Sequence, residues 1–156
     1  MRVHTLIRFV ILAAILTGGC SKRSEPNTDA QGLALGSLHS GTTIPQVIAE
    51  YGQPELAMTN NGVICMAMYQ KLGLAFLASK GIVSSISVSP HCTLQTKEGV
   101  GIGSSRAAVI KAYGEPTSAK VNARGFEALT YQRLGLVCEL KDNTVDSMTI
   151  IFDTAK

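Results

Sequence analysis

A chain of 156 residues with 46 % hydrophobic residues has room for one compact domain with a modest core once any targeting segment is subtracted. It contains no tryptophan and only four tyrosines and four phenylalanines, which argues against a base-stacking surface. The formal charge of +3 owes much to Arg2 and Arg8; without residues 1–19 twelve basic residues face eleven acidic ones, with no block of like charge. Nucleic acid, heparin and acidic substrates are therefore not expected as partners.

The chain opens on a basic start, Arg2, His4 and Arg8, followed by an unbroken apolar run from Phe9 to Leu16 and the small residues Thr17-Gly18-Gly19 before Cys20. This pattern predicts a signal peptide over residues 1–19, too short for a membrane span. The end of the run resembles the lipobox of bacterial lipoproteins, although Thr17 stands where that motif prefers leucine. The resemblance implies a diacylated Cys20 as the mature N-terminus, and with Ser21 next to it an outer-membrane location facing the periplasm in a Gram-negative cell. The plainer alternative is an ordinary secretory peptide with Cys20 a simple thiol. Residues 20–35 begin Cys-Ser-Lys-Arg-Ser-Glu-Pro and cannot bury much apolar area, as suits a flexible tether. In an oxidising compartment, the three remaining cysteines, Cys65, Cys92 and Cys138, allow at most one disulfide and one free thiol, with three pairings open.

Downstream, Val47-Ile-Ala-Glu-Tyr-Gly-Gln-Pro54 returns sixty-two residues later as Val109-Ile-Lys-Ala-Tyr-Gly-Glu-Pro116, and Tyr69-Gln-Lys-Leu-Gly-Leu74 returns as Tyr131-Gln-Arg-Leu-Gly-Leu136. Between residues 41–88 and 103–150, fifteen of forty-eight aligned positions are identical without a gap. Chance would supply about three, so the chain is an internal duplication. The expected organisation is α+β: two tandem αβββ repeats, 36–92 and 93–156, with helices on one face of antiparallel sheet. Each unit is near the lower limit for an independent core, so the two are expected to fold together, one continuous sheet being one way to do so.

In each repeat a helix is predicted to start at a hydroxyl pair, Thr42-Thr43 or Ser104-Ser105, with Thr43 and Gln46 placed for a capping box. Val47, Ile48 and Tyr51, matched by Val109, Ile110 and Tyr113, share one helix face. Gly52 and Gly114 are placed to end the helices in the left-handed conformation, and Pro54 and Pro116 prevent their resumption. The strands follow: Val63 to Gln70 and Leu72 to Ser79 as a tight hairpin turning near Gln70-Lys71, then Ile82 to Ser89. Phe126 to Gln132, Leu134 to Lys141 and Val145 to Phe152 repeat them.

Pairing Tyr69 with Leu72 puts Cys65, Ala67, Tyr69, Leu72, Leu74 and Phe76 on one face, matched by Leu129, Tyr131, Leu134, Leu136, Cys138 and Leu140, and these are the helix-packing faces. Gly73 and Gly135 point the other way, where a missing side chain admits a neighbouring backbone or a bound group. The opposite face differs between repeats. It carries Ile64, Met66, Met68, Ala75 and Leu77 in the first, but Ala128, Thr130, Gln132, Val137, Glu139 and Lys141 in the second.

Gly41, Val47, Gly52 and Pro54, with their counterparts Gly103, Val109, Gly114 and Pro116, carry a resemblance over residues 36–152 to the SmpA/OmlA (BamE) and β-lactamase-inhibitor-protein-like group of small envelope and secreted domains. Units of that group usually carry two helices before the sheet, whereas one is legible here in each repeat. The resemblance implies a binding or scaffolding module without catalysis.

Few residues suggest chemistry. His91-Cys92 could form an activated thiol, but sequence neighbours seldom have the required geometry, and a disulfide partner or bystander is the simpler reading. Met58, Cys65, Met66 and Met68 are soft ligands of the kind that select Cu(I); alternation along a strand, however, sends Met66 and Met68 to the face opposite Cys65, and packing is expected instead. The run Gly99-Val-Gly-Ile-Gly103 has neither the spacing nor the parallel sheet of a phosphate loop and reads as a repeat junction. No catalytic residue, metal site or cofactor is expected. The functional expectation is an envelope lipoprotein, membrane-tethered at Cys20, binding an envelope protein or a ligand through Ile64, Met66, Met68 and Leu77. The alternative is a periplasmic thiol enzyme or copper carrier built on Cys92 and His91.

Overall fold

The computed structural model describes residues 33–152. The expected signal peptide, Cys20 and the tether as far as residue 32 lie outside the described residues.

Each duplicated helix forms where its hydroxyl pair and glycine bracket it: α1 spans Ile44–Tyr51 and α2 spans Arg106–Tyr113. The Gln46 side-chain oxygen accepts from the Thr43 backbone N–H at 2.8 Å, and Ser105 Oγ accepts from the Ala108 N–H at 3.2 Å. These bonds satisfy first-turn or cap donors that helix geometry leaves orphaned. Gly52 and Gly114 stop the helices with φ of 80° and 79° and ψ of −166° and −164°. This is not the left-handed helical region expected from sequence but the extended mirror region, which is almost exclusive to glycine.

The sheet departs further from expectation. Each repeat contributes four strands, not three: β1 (Leu56–Asn60), β2 (Val63–Tyr69), β3 (Leu74–Ser79) and β4 (Ile82–Val88), then β5 (Ser118–Val121), β6 (Glu127–Tyr131), β7 (Leu136–Lys141) and β8 (Thr144–Ile151). All eight form one antiparallel sheet in the order β1-β2-β3-β4-β8-β7-β6-β5. The α+β class with two αβββ repeats is thereby corrected. The described residues form a predominantly β structure, one eight-stranded antiparallel sheet carrying two helices of eight residues each.

The hairpin turns are also wider than predicted. A single 3₁₀ turn, Gln70–Leu72, and Gly73 at φ 66° separate β2 from β3, so Tyr69 pairs with Leu74, not Leu72. Tyr131 likewise pairs with Leu136 across Gln132–Leu134 and Gly135. Because side chains alternate with period two, this slide of two residues leaves every face assignment of the strand unchanged. Leu72 leaves the expected helix-packing face and lies in the turn, 41 % exposed, while its counterpart Leu134 stays buried. Cys65 leaves it as well, at an irregularity in the β1–β2 pairing that turns Ile64 to the core in its place.

One face of the sheet meets both helices. Ala67, Tyr69, Leu74, Phe76, Ile86 and Val88 from the first repeat join Leu129, Tyr131, Leu136, Cys138, Met148 and Ile150 from the second, and Val47 and Val109 of the helices close over them. Each fully buried aliphatic or aromatic side chain here contributes about 1.5–3 kcal/mol of transfer free energy. Tyr69 stacks edge-on against Phe76 and Tyr51, with ring centroids 5.8 and 6.1 Å away. Its hydroxyl then donates to the Gly52 carbonyl at 2.8 Å, as the Tyr131 hydroxyl does to that of Gly114 at 3.1 Å. The two best-preserved stretches of the duplication are thus bonded to each other, sheet tyrosine to helix terminus.

Candidate functional face

Among the described residues no helix lies on the other face of the sheet. Pairing registers trace a complete row across it: Leu56, Met68, Ala75, Ser87, Thr149, Val137, Thr130 and Ser118. A second row runs Met58, Met66, Leu77, Ser85 and Ile151. Of the four residues singled out from sequence, Met66, Met68 and Leu77 lie in these rows, whereas Ile64, which pairs with Thr59 beyond the irregularity at Met58/Thr59, packs against the core instead. Leu77 is 50 % exposed and the other three are half-buried.

Strand β1 adds Leu56 and Met58 to the same patch, 48 % and 53 % exposed, and Ile151 of β8 adds a further 51 % exposed side chain. The sequence pattern sets no strand at Leu56–Asn60 and so leaves Leu56 and Met58 off this face, although the alternation Leu-x-Met over Leu56 to Met58 is a signal for one. At the positions equivalent to Leu56, Met58, Met66, Met68 and Leu77 the second repeat has Ser118, Lys120, Ala128, Thr130 and Glu139. Glu139 accepts a hydrogen bond from Ser147 Oγ at 2.8 Å. The open face is therefore apolar over β1 to β3 and polar over β5 to β7.

Where the two halves meet, a shallow groove of about 490 Å³ runs over Ala75, Ser87 and Thr149, with Met68, Gln70 and His91 among its walls. A smaller one of about 350 Å³ lies at the hairpin end, lined by Asn60, Ile64, Cys65, Ser79 and Lys80 among others. The floor of the larger groove is made of small side chains, so it is a valley between the apolar ridge and the second repeat.

Two of the three thiols, Cys92 and Cys138, are buried. Cys65, Cys92 and Cys138 are all free, so no disulfide joins them. Cys65 is the unpaired residue at the irregularity between β1 and β2, and its thiol donates to the Met58 carbonyl oxygen 3.4 Å away. Cys92 is buried in the core while its neighbour His91 is exposed on the groove. Burial pushes the Cys92 thiol up, against a smaller lowering from a backbone hydrogen bond at Leu94. Burial alone pushes Cys138 up to about 12. Both shifts disfavour the thiolate that nucleophilic chemistry requires.

The Gly99–Gly103 loop spends its backbone donors internally: Gly99 N–H on Thr96 O, Gly101 N–H on Ser104 Oγ and Gly103 N–H on Val145 O. No cluster of three His, Cys, Asp or Glu side chains suited to a metal ion occurs among the described residues. No helix among them is long and apolar enough to cross a membrane.

No protein-family profile and no curated protein matches the sequence. Among solved structures the chain is similar to a DUF4309 family protein, YjgB, of Bacillus subtilis, at 16 % identity and a TM-score of 0.45, over 72 % of this chain and 79 % of that one.

Proposed function

We propose that the chain is a non-catalytic binding module of the cell envelope, tethered to the membrane by a lipid on Cys20, that holds a protein partner on the open face of its first repeat. In a Gram-negative cell it would face the periplasm from the outer membrane. The observation that carries the reading is the asymmetry of the open face. Two copies of one unit share a core, but only one has filled its solvent side with Leu56, Met58, Met66, Met68 and Leu77. Exposed apolar area of this kind costs solubility and marks a contact surface in soluble proteins. The resemblance to envelope scaffolding domains, carried by the glycines and prolines that end the helices, points the same way.

Two measurements test it. A photo-crosslinking residue at Leu77 should capture an envelope protein in cells, whereas the same residue at the equivalent Glu139 should not. Met66→Lys with Met68→Lys should abolish capture and shift stability by less than about 1 kcal/mol, as surface changes do. A collapse of stability in that variant would show the patch to be core and end the proposal. The mass of the mature N-terminus tests the anchor, and an unacylated Cys20 would refute it.

A further inference from the structure

We propose that Met58, Met66 and Met68 form a trithioether site for a soft monovalent cation, Cu(I) or its redox-inert analogue Ag(I). The inference is independent of the partner-binding reading and rests on β1, the strand that brings Met58 to the open face. Met58 and Met66 are direct cross-strand partners, and Met68 stands two residues along β2 on the same side. Directly opposed residues of an antiparallel pair have Cβ atoms about 4.5–5.5 Å apart, and diagonal neighbours about 7–8 Å. Methionine is unbranched, and rotation about its Cα–Cβ and Cβ–Cγ bonds swings the sulfur over several ångströms, so three sulfur atoms at this spacing can converge on one ion without moving backbone.

The surroundings select the ion class. Met58 is 53 % exposed and gives the ion an approach from solvent, while Leu56 pairs with Met68 and Leu77 with Met66, which makes an apolar rim. No carboxylate lies in these rows over β1 to β3. Three neutral sulfurs cannot compensate the dehydration of Mg²⁺, Ca²⁺ or Zn²⁺, which take oxygen, nitrogen or thiolate ligands, whereas thioethers suit Cu(I). Cys65 is excluded from the set, being turned to the Met58 carbonyl. The second repeat supplies an internal comparison, since Lys120, Ala128 and Thr130 occupy the three equivalent positions and offer no sulfur.

The test uses the full mature chain in detergent, its reactive thiols first blocked with N-ethylmaleimide, labelled with ¹³C at the methionine methyl groups and titrated with silver nitrate. One equivalent of Ag(I) should shift the methyl resonances of Met58, Met66 and Met68 and leave that of the buried Met148 in place. Each single Met→Leu change should weaken binding at least tenfold, and the triple change should abolish it with the melting temperature preserved. Anaerobic competition for Cu(I) against a chromophoric chelator should give the same order of variants. Affinity no greater than that of free methionine, or binding that survives the triple change, would overturn the site. Silver binding is read on the purified chain with no partner present, whereas partner capture is read in cells at Leu77, so failure of this site and failure of the partner surface are told apart.

Discussion

At Gly135 a positive φ is only half of what the position demands. Its φ of 61° favours glycine, and a Cβ built there would collide with the Ile151 carbonyl oxygen, which is fixed because the Ile151 N–H bonds back to Gly135 O at 2.7 Å. Gly125 also has positive φ, 80°, but opens onto empty space. Gly125→Ala should therefore cost about 1–2 kcal/mol, the strain of a left-handed residue. Gly135→Ala should cost clearly more in denaturant melts, since backbone must move. The buried thiols make a second residue-scale prediction. Cys138 holds its proton to about 12 in the fold against an ordinary thiol value of 9.0. The folded form thus binds the proton more tightly, and the stability from this group is intact below pH 9 and lost as pH rises towards 12. By pH 11 the loss should be about 2–3 kcal/mol in urea titrations, and Cys138→Ala should flatten that part of the profile. At pH 8 a thiol reagent should reach Cys65 promptly but Cys92 and Cys138 only on unfolding.

Among the elements, the helix ends depend on the sheet. Tyr69→Phe and Tyr131→Phe each remove one hydroxyl from a helix-terminal carbonyl while keeping the ring packed, and each should lower stability by about 1 kcal/mol without altering the sheet, as paired melts and amide spectra would show. The repeats also solve one local problem differently. Arg106 at the start of α2 reaches Glu127 of β6 with both guanidinium Nε and Nη2, the Nε bond being 3.0 Å, whereas the equivalent pair in the first repeat is Ile44 and Cys65. Helix starts, helix stops and the buried faces of β2, β3, β6 and β7 were legible in the sequence because capping chemistry and period-two alternation are local. The hairpin turn differs from expectation by two residues, an even number that changes no face, whereas the irregularity beside Met58 turns Ile64 from the expected open face to the core. Strands β1 and β5 were invisible. Each is a sheet edge, every residue of β1 is exposed, and a strand that buries nothing leaves little burial pattern to read. Without β1 the sequence offers Met58, Met66 and Met68 as soft ligands but does not place Met58 on the face of the other two.

For the whole molecule, the decisive contact is the seam between β4 and β8. Ile86 pairs with Ile150 and Val88 with Met148 there, all of them buried. Ser87 pairs with Thr149, its own counterpart in the duplication, so the sheet has an approximate two-fold axis at that pair. That axis sets both helices on one face and leaves both first strands, β1 and β5, at the outer edges. Either half alone would expose its seam strand and the apolar row beside it, and small units lack a core to compensate. Residues 33–92 by themselves should give a poorly dispersed amide spectrum, and adding residues 93–152 should restore dispersion. A folded isolated half would show that the seam is dispensable.

The palindromic strand order also bears on how fast the chain reaches this state. Of its strand pairings only β4 with β8 joins segments distant in sequence; every other pair joins consecutive strands. Two local meanders can zip on the microsecond scale of hairpins. The connection between the two meanders, residues 89–117, then remains to close, and the entropy of closure grows only with the logarithm of its length. An all-antiparallel sheet of this width ordinarily folds slowly because distant strands must find one another. Here that search is reduced to a single encounter between two preformed halves.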